Sequence, residues 1–134
     1  WPPMPGARRP YVQFHPFAGN VLTGDEALYR WCAEALAAEP RLRLGAPTLG
    51  WLRAAMREMR RLAHLPPPSM PCLVTLGTRE LVVDPQAVRH GARRIGAEFA
   101  EIEGARHDLF LERREHRRAL WQAIEGFLDR HLGV

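Results

Sequence analysis

The sequence predicts an α/β fold, with two parallel strands flanked by helices and preceded by a stretch that is helical only. Three observations carry that expectation. From Pro71 to His107 the chain reads as strand, polar loop, helix, strand and a second loop bearing a histidine. Between Gly24 and Ala63 there are two apolar stripes of helical period and no alternating segment. The run Leu65-Pro66-Pro67-Pro68-Ser69-Met70-Pro71 separates the two regions as a stiff, extended connector.

Taken in order, Trp1 to about Gly19 is rich in proline, glycine and aromatics without a period, and is expected to be an irregular arm. Thr23 followed three residues later by Glu26 has the pattern of a capping box. It predicts a helix from about Gly24 to Ala38 with Leu28, Trp31, Cys32 and Ala35 inward, ended by Pro40. Ala46-Pro47-Thr48 precedes a second helix from about Leu49 to Ala63, with Trp51, Leu52, Ala55, Met56, Met59 and Leu62 on one side and five charged residues on the other. Cys72 to Leu76 is a short apolar run of the kind buried on both faces of a parallel sheet, and Gly77-Thr78-Arg79-Glu80 breaks it with a turn. Asp84-Pro85 starts a helix running to about Gly96, because Asp accepts from free N–H groups and Pro has no donor to lose at the first position. Glu98 to Ile102 alternates as a second strand, and Gly104 to Asp108 leaves it as a loop. A last helix, about Arg114 to Leu132, turns Leu120, Ile124, Phe127 and Leu128 towards the sheet.

Composition sets outer bounds. The 134 residues, 46% hydrophobic and 25% charged, have the makeup of a globular domain or of part of a larger one. No apolar run approaches the roughly 18 residues of a membrane span. The chain begins at Trp1, which leaves a preceding targeting segment open; the expected compartment is the cytoplasm or the periphery of a membrane. Cys32 and Cys72 have neither metal nor redox spacing and are expected to be free thiols. All nineteen basic residues are arginine, a bias that points to genome composition more than to a selected surface. The net charge of +4 would suit anionic surfaces, but the aromatics are not interleaved with arginine and no recognition motif is present, so nucleic acid is not expected as a partner.

Chemistry is concentrated after the two strands. A histidine moves protons near neutral pH, and a carboxylate on its far nitrogen fixes the tautomer and stabilises the imidazolium. Neighbouring parallel strands bring the residues just past their carboxyl ends into one crevice, which puts Glu80 and His107 together. Asp84 is the alternative acid, although it also serves as the cap of the helix that begins at Pro85. The remaining histidines lie in predicted helices or irregular segments.

The run Pro71 to Pro85, with Gly77-Thr78-Arg79-Glu80 followed by Val82-Val83-Asp84-Pro85, and then Gly104-Ala105-Arg106-His107-Asp108-Leu109, resembles the last third of an α/β-hydrolase of the lysophospholipase and monoacylglycerol lipase branch. Asn20 to Asp25 and Ala46 to Leu52 resemble the helical cap of those enzymes. The resemblance implies a cap over 1–66, including the irregular arm, and the C-terminal part of the hydrolase core over 67–134. It implies Glu80 as triad acid, with Asp84 as alternative, and His107 as triad base. It also implies a lipid ester substrate, lysophospholipid or monoacylglycerol, with Trp51 and Met56 among the residues lining an acyl channel. No cofactor and no metal are implied. Such enzymes run in the order serine, acid, histidine, with the serine on a Gly-x-Ser-x-Gly elbow. The single serine here, Ser69, lies in the proline-rich connector without flanking glycines. The nucleophile and oxyanion donors are therefore expected on an N-terminal portion outside these residues, this chain alone is expected to be inactive, and peripheral membrane contact is an accessory expectation. The competing reading is a non-catalytic lipid-surface or protein-interaction module that uses its arginine-rich helices.

Overall fold

A computed structural model describes residues 16–45 and 47–133. Most of the predicted irregular arm, residues 1–15, and Ala46 lie outside the described residues; Phe17–Gly19 is a short 3-10 turn. The regular elements are α1 (Glu26–Ala38), α2 (Leu49–Ala63), β1 (Leu73–Gly77), α3 (Pro85–Ile95), β2 (Glu98–Ile102) and α4 (Arg114–Leu132). Further 3-10 turns occupy Pro40–Leu42 and Leu109–Leu111.

The chain divides into two compact units. One draws on residues up to Gly19 and on Arg30–Leu65, the other on Asn20–Tyr29 and on the chain from Pro66 onwards. The division at Leu65 falls beside the proline-rich connector, but Asn20–Tyr29 groups with the strands.

In the first unit, the guanidinium of Arg43 donates to the carbonyls of Leu36 (2.7 Å) and Ala37 (2.8 Å), satisfying acceptors that the last turn of α1 leaves open. The hydroxyl of Thr48 accepts the N–H of Trp51 at 3.1 Å and caps α2. No residue of α2 is buried: Trp51 is 59% exposed and Leu52, Met56 and Met59 are exposed as well, so much of its apolar stripe stays open among the described residues.

The second unit holds the sheet. β1 and β2 pair in parallel from Leu73 opposite Glu98 to Gly77 opposite Ile102. Asp84 caps α3 by accepting the N–H of Gln86 at 2.9 Å, and Gly96 closes it in the left-handed region at φ 67°. Alternation along β2 sends Phe99 and Glu101 to the face carrying α3, where Arg89 pairs with Glu101 (Nε to Oε1, 2.8 Å). Glu98, Ala100 and Ile102 point the other way, where Glu98 receives Arg130 and His131 of α4. Ile102, Ala105, Leu109 and Leu120 form the core, with Ala119 and Ile124 packed against it.

Four expectations need correction. α1 begins two residues later than the Thr23–Glu26 pattern predicts, because Asp25 is its cap: Asp25 Oδ1 accepts the N–H of Leu28 at 3.0 Å. Thr23 is engaged elsewhere, accepting the N–H of Asp25 and donating to the carbonyl of Leu111 at 2.7 Å. Trp31 is exposed and Tyr29 takes the buried place on α1, about a quarter of a turn round from Leu28, while Leu28, Cys32 and Ala35 of the predicted stripe stay half-buried. Leu128 of α4 is exposed, on the same side of the helix as the exposed Trp121 seven residues earlier. Finally, β1 is fully buried only at Leu76 and Gly77, because among the described residues it has a neighbouring strand on one side only.

Candidate active site

The site is built where β1 and β2 end side by side. The chain turns after Gly77, and that turn is stitched to the one after β2: Thr78 N–H donates to the carbonyl of Ile102 (3.1 Å), Arg79 N–H to that of Ala105 (2.8 Å), and Gly104 N–H to the hydroxyl of Thr78 (2.8 Å). The approach is close enough to require glycine at position 77. A Cβ there would lie 2.4 Å from the carbonyl oxygens of both Ala105 and Arg106.

This stitching brings Glu80 and His107 together. Glu80 Oε2 lies 2.7 Å from His107 Nδ1, and Oε1 accepts the N–H groups of Val82 and of Val83 (3.1 Å). The Glu80 side chain is 3% exposed, whereas that of His107 is 36% exposed. Burial raises the Glu80 carboxyl pKa, but the Val82 N–H, His107 and the Val83 N–H more than offset it and hold the group below the ordinary carboxylate value. An ionised carboxylate only accepts, so Nδ1 carries the proton and Nε2 is left as the basic nitrogen. No hydrogen bond to Nε2 is made among the described residues. Asp84 is placed differently: its exposed carboxylate caps α3, and the bond to His107 comes from Glu80.

The main chain on either side of His107 is also anchored. Arg106 N–H donates to Glu112 Oε1 (2.8 Å) and Asp108 N–H to the carbonyl of Leu22 (2.8 Å). The Arg106 guanidinium reaches the carbonyls of Asn20 (2.8 Å) and Thr23 (3.0 Å). Glu112 has no exposed surface, and its two oxygens receive four donors: Gly24 N–H (2.9 Å) and Arg106 N–H at Oε1, Arg113 N–H (3.0 Å) and His116 Nδ1 (3.1 Å) at Oε2. Burial raises its pKa, but the N–H groups of Arg106 and Arg113, then His116 and Gly24, bring it below the ordinary value. Sequence reasoning missed Glu112, because a carboxylate in the arginine-rich run from Glu112 to Arg118 reads as part of a solvated face. The one available signal was His116 four residues later, and that spacing does not separate a buried pair from an exposed one.

Trp51 and Met56, assigned to an acyl channel by resemblance, belong to the first unit, where both are exposed on α2. Among the described residues no group of three or more His, Cys, Asp or Glu gathers to hold a metal ion. No described helix is long and apolar enough to cross a membrane.

Comparison with known proteins places the chain in a family. Residues 7–114 match the family model described as serine aminopeptidase, S33. Lysophospholipase L2 of Escherichia coli strain K12 is 31% identical over 127 residues, covering 87% of this chain and 37% of that protein. A probable lysophospholipase L2 of Haemophilus influenzae is 26% identical over 121 residues, covering 89% of this chain and 38% of its own length. This chain thus spans less than two fifths of the curated relatives it matches. A crystal structure of a soluble variant of monoglyceride lipase from Saccharomyces cerevisiae, bound to a substrate analog, shares the fold at TM-score 0.65 and 18% identity, over 83% of this chain and 41% of that one. The chain belongs to the serine aminopeptidase, S33 family of α/β-hydrolases.

Proposed function

We propose that this chain is the C-terminal portion of a serine hydrolase that cleaves carboxylic esters of lipids, with lysophospholipid or monoacylglycerol as substrate. The observation that carries the proposal is the 2.7 Å bond between Glu80 and His107 at the ends of two paired parallel strands. Glu80 holds the Nδ1 proton and stabilises the imidazolium, and His107 Nε2 takes the proton of a serine hydroxyl as its oxygen attacks the ester carbonyl carbon. The tetrahedral species collapses, the C–O bond to the alcohol breaks, and Nε2 returns its proton to that leaving oxygen. Water, deprotonated by the same nitrogen, then attacks the acyl carbon, the C–O bond to serine breaks, and Nε2 passes its proton to the serine oxygen as the acid is released.

The serine and the oxyanion donors belong to residues outside this chain. Ser69, the single serine here, is exposed in the connector and lacks the strand-to-helix turn of a nucleophile elbow. The chain's short span of its relatives supports the same reading. Residues 1–66 serve as cap, where the open apolar side of α2, Trp51 and Met56 included, contacts acyl chains or a lipid surface.

The test uses the longer protein that carries this chain. His107→Ala lowers ester hydrolysis by about 10²–10⁴-fold; activity within about tenfold of the parent removes the assignment. Glu80→Gln is expected to reproduce most of that loss, and Asp84→Asn is expected to leave turnover nearly intact. A fluorophosphonate probe should label the longer protein and leave residues 1–134 unlabelled. An unlabelled longer protein would favour a non-catalytic module.

A further inference from the structure

We propose that Glu112 is a positioning residue for His107, setting where the imidazole stands by holding the main chain that precedes it. The proposal rests on the reading of His107 as the general base.

Burying a carboxylate completely is unfavourable unless its lone pairs are matched by donors, and Glu112 has four. What those donors belong to is informative. They come from three segments: the loop after Asn20, through Gly24; the loop after β2, through Arg106; and the first turns of α4, through Arg113 and His116. One side chain thus ties together the loop carrying His107 and the loop on which that loop rests.

Two coordinates define the reactive nitrogen. The rotation of the ring is fixed by Glu80 at Nδ1. Its position is fixed by the backbone, which is pinned at both neighbours of His107: Arg106 N–H to Glu112 and Asp108 N–H to Leu22. The second of these depends on the first carboxylate too, because Leu22 lies on the loop that Glu112 holds through Gly24. Loss of Glu112 therefore frees the Arg106 side and loosens the Leu22 side, whose loop keeps its bonds to the Arg106 guanidinium and to Leu111, while leaving Glu80 in place. A displacement of about 1 Å in a catalytic group is enough to cost about 10²-fold in rate.

The substitutions grade the effect. In Glu112→Gln the retained oxygen still accepts from Gly24 and Arg106, but its amide faces the N–H of Arg113 donor to donor. Glu112→Ala loses all four bonds. In the longer protein, Glu112→Gln is expected to lower kcat about tenfold and Glu112→Ala about 10²-fold, with KM within about twofold, since binding does not involve this carboxylate. The ¹⁵N resonances of His107 should shift in both. Leu120→Ala, which opens a cavity in the same core, serves as control: it lowers the melting temperature comparably and leaves kcat within about twofold. If neither Glu112 variant folds, His116→Ala removes one of the four donors from a less buried place and should lower kcat about threefold at unchanged KM.

Unchanged kcat in a folded Glu112→Gln protein, unchanged kcat in His116→Ala where only that variant folds, or an equal loss in Leu120→Ala would each overturn the proposal. The parallel His107→Ala variant separates the two claims. Activity retained there removes the catalytic reading and the positioning role together. Activity lost there but intact in the Glu112 variants removes the positioning role alone.

Discussion

At the scale of single residues, two buried carboxylates make the second unit sensitive to acid. Glu80 and Glu112 both have pKa values lowered by folding. The folded state therefore binds fewer protons than the unfolded chain as pH falls below the ordinary glutamate value of about 4.3. The stability they contribute is fully present above that value and is lost progressively as pH drops through the lowered values. Denaturant titrations at neutral pH and in the acid range should show it, with Glu112→Gln losing less on acidification than the parent does. Equal losses would mean that the carboxylate is not ionised where it is buried. Gly77→Ala tests the close approach of the two turns: the overlap with two carbonyl oxygens forces the turns apart, and a loss of about 1–3 kcal/mol is expected in denaturant melts, together with a weakened Glu80–His107 bond. The Glu80–His107 pair was legible in the sequence, since a polar turn and a histidine loop each follow an apolar run. Glu112 and Gly77 were not: an arginine-rich run conceals that Glu112 is buried, and the need for glycine at position 77 is set by the carbonyls of Ala105 and Arg106.

At the scale of elements, the most readable were those whose ends carry their own signals. Asp84, Pro85 and Gly96 bound α3 at both ends, and the helix occupies the residues those signals delimit. Asp84→Ala should therefore destabilise the protein by about 1 kcal/mol through the cap, measured by thermal or chemical melts, while ester hydrolysis in the longer protein is retained. The start of α1 was misread for a physical reason: Thr23, Asp25 and Glu26 all have capping chemistry, and the choice among them is made by Leu111, whose carbonyl takes the hydroxyl of Thr23. α2 follows its predicted span with Thr48 as cap, but its periodicity gave no indication that the apolar side would remain open.

At the scale of the whole molecule, the described residues bury few large side chains and expose many, including Phe99 on the sheet and the stripe of α2. Among the described residues the parallel sheet has two strands, so β1 has a neighbouring strand along one edge only. Residues 1–134 alone should accordingly bind the apolar-surface dye ANS, and the longer protein should bind much less; equal fluorescence would argue against a covering portion elsewhere. Such openness could not be read from composition, which has the proportions of an ordinary globular domain. The ladder between the two strands also acts as a ruler. Slipping β2 by one rung would carry the imidazole about 3.3 Å along the strand and turn every side chain of the strand to the opposite face. There is no gradual path between the meshed and unmeshed arrangements, so a slip of the ladder, unlike the local spreading expected of Gly77→Ala, should change the number of competent molecules and leave the turnover of each one as it was.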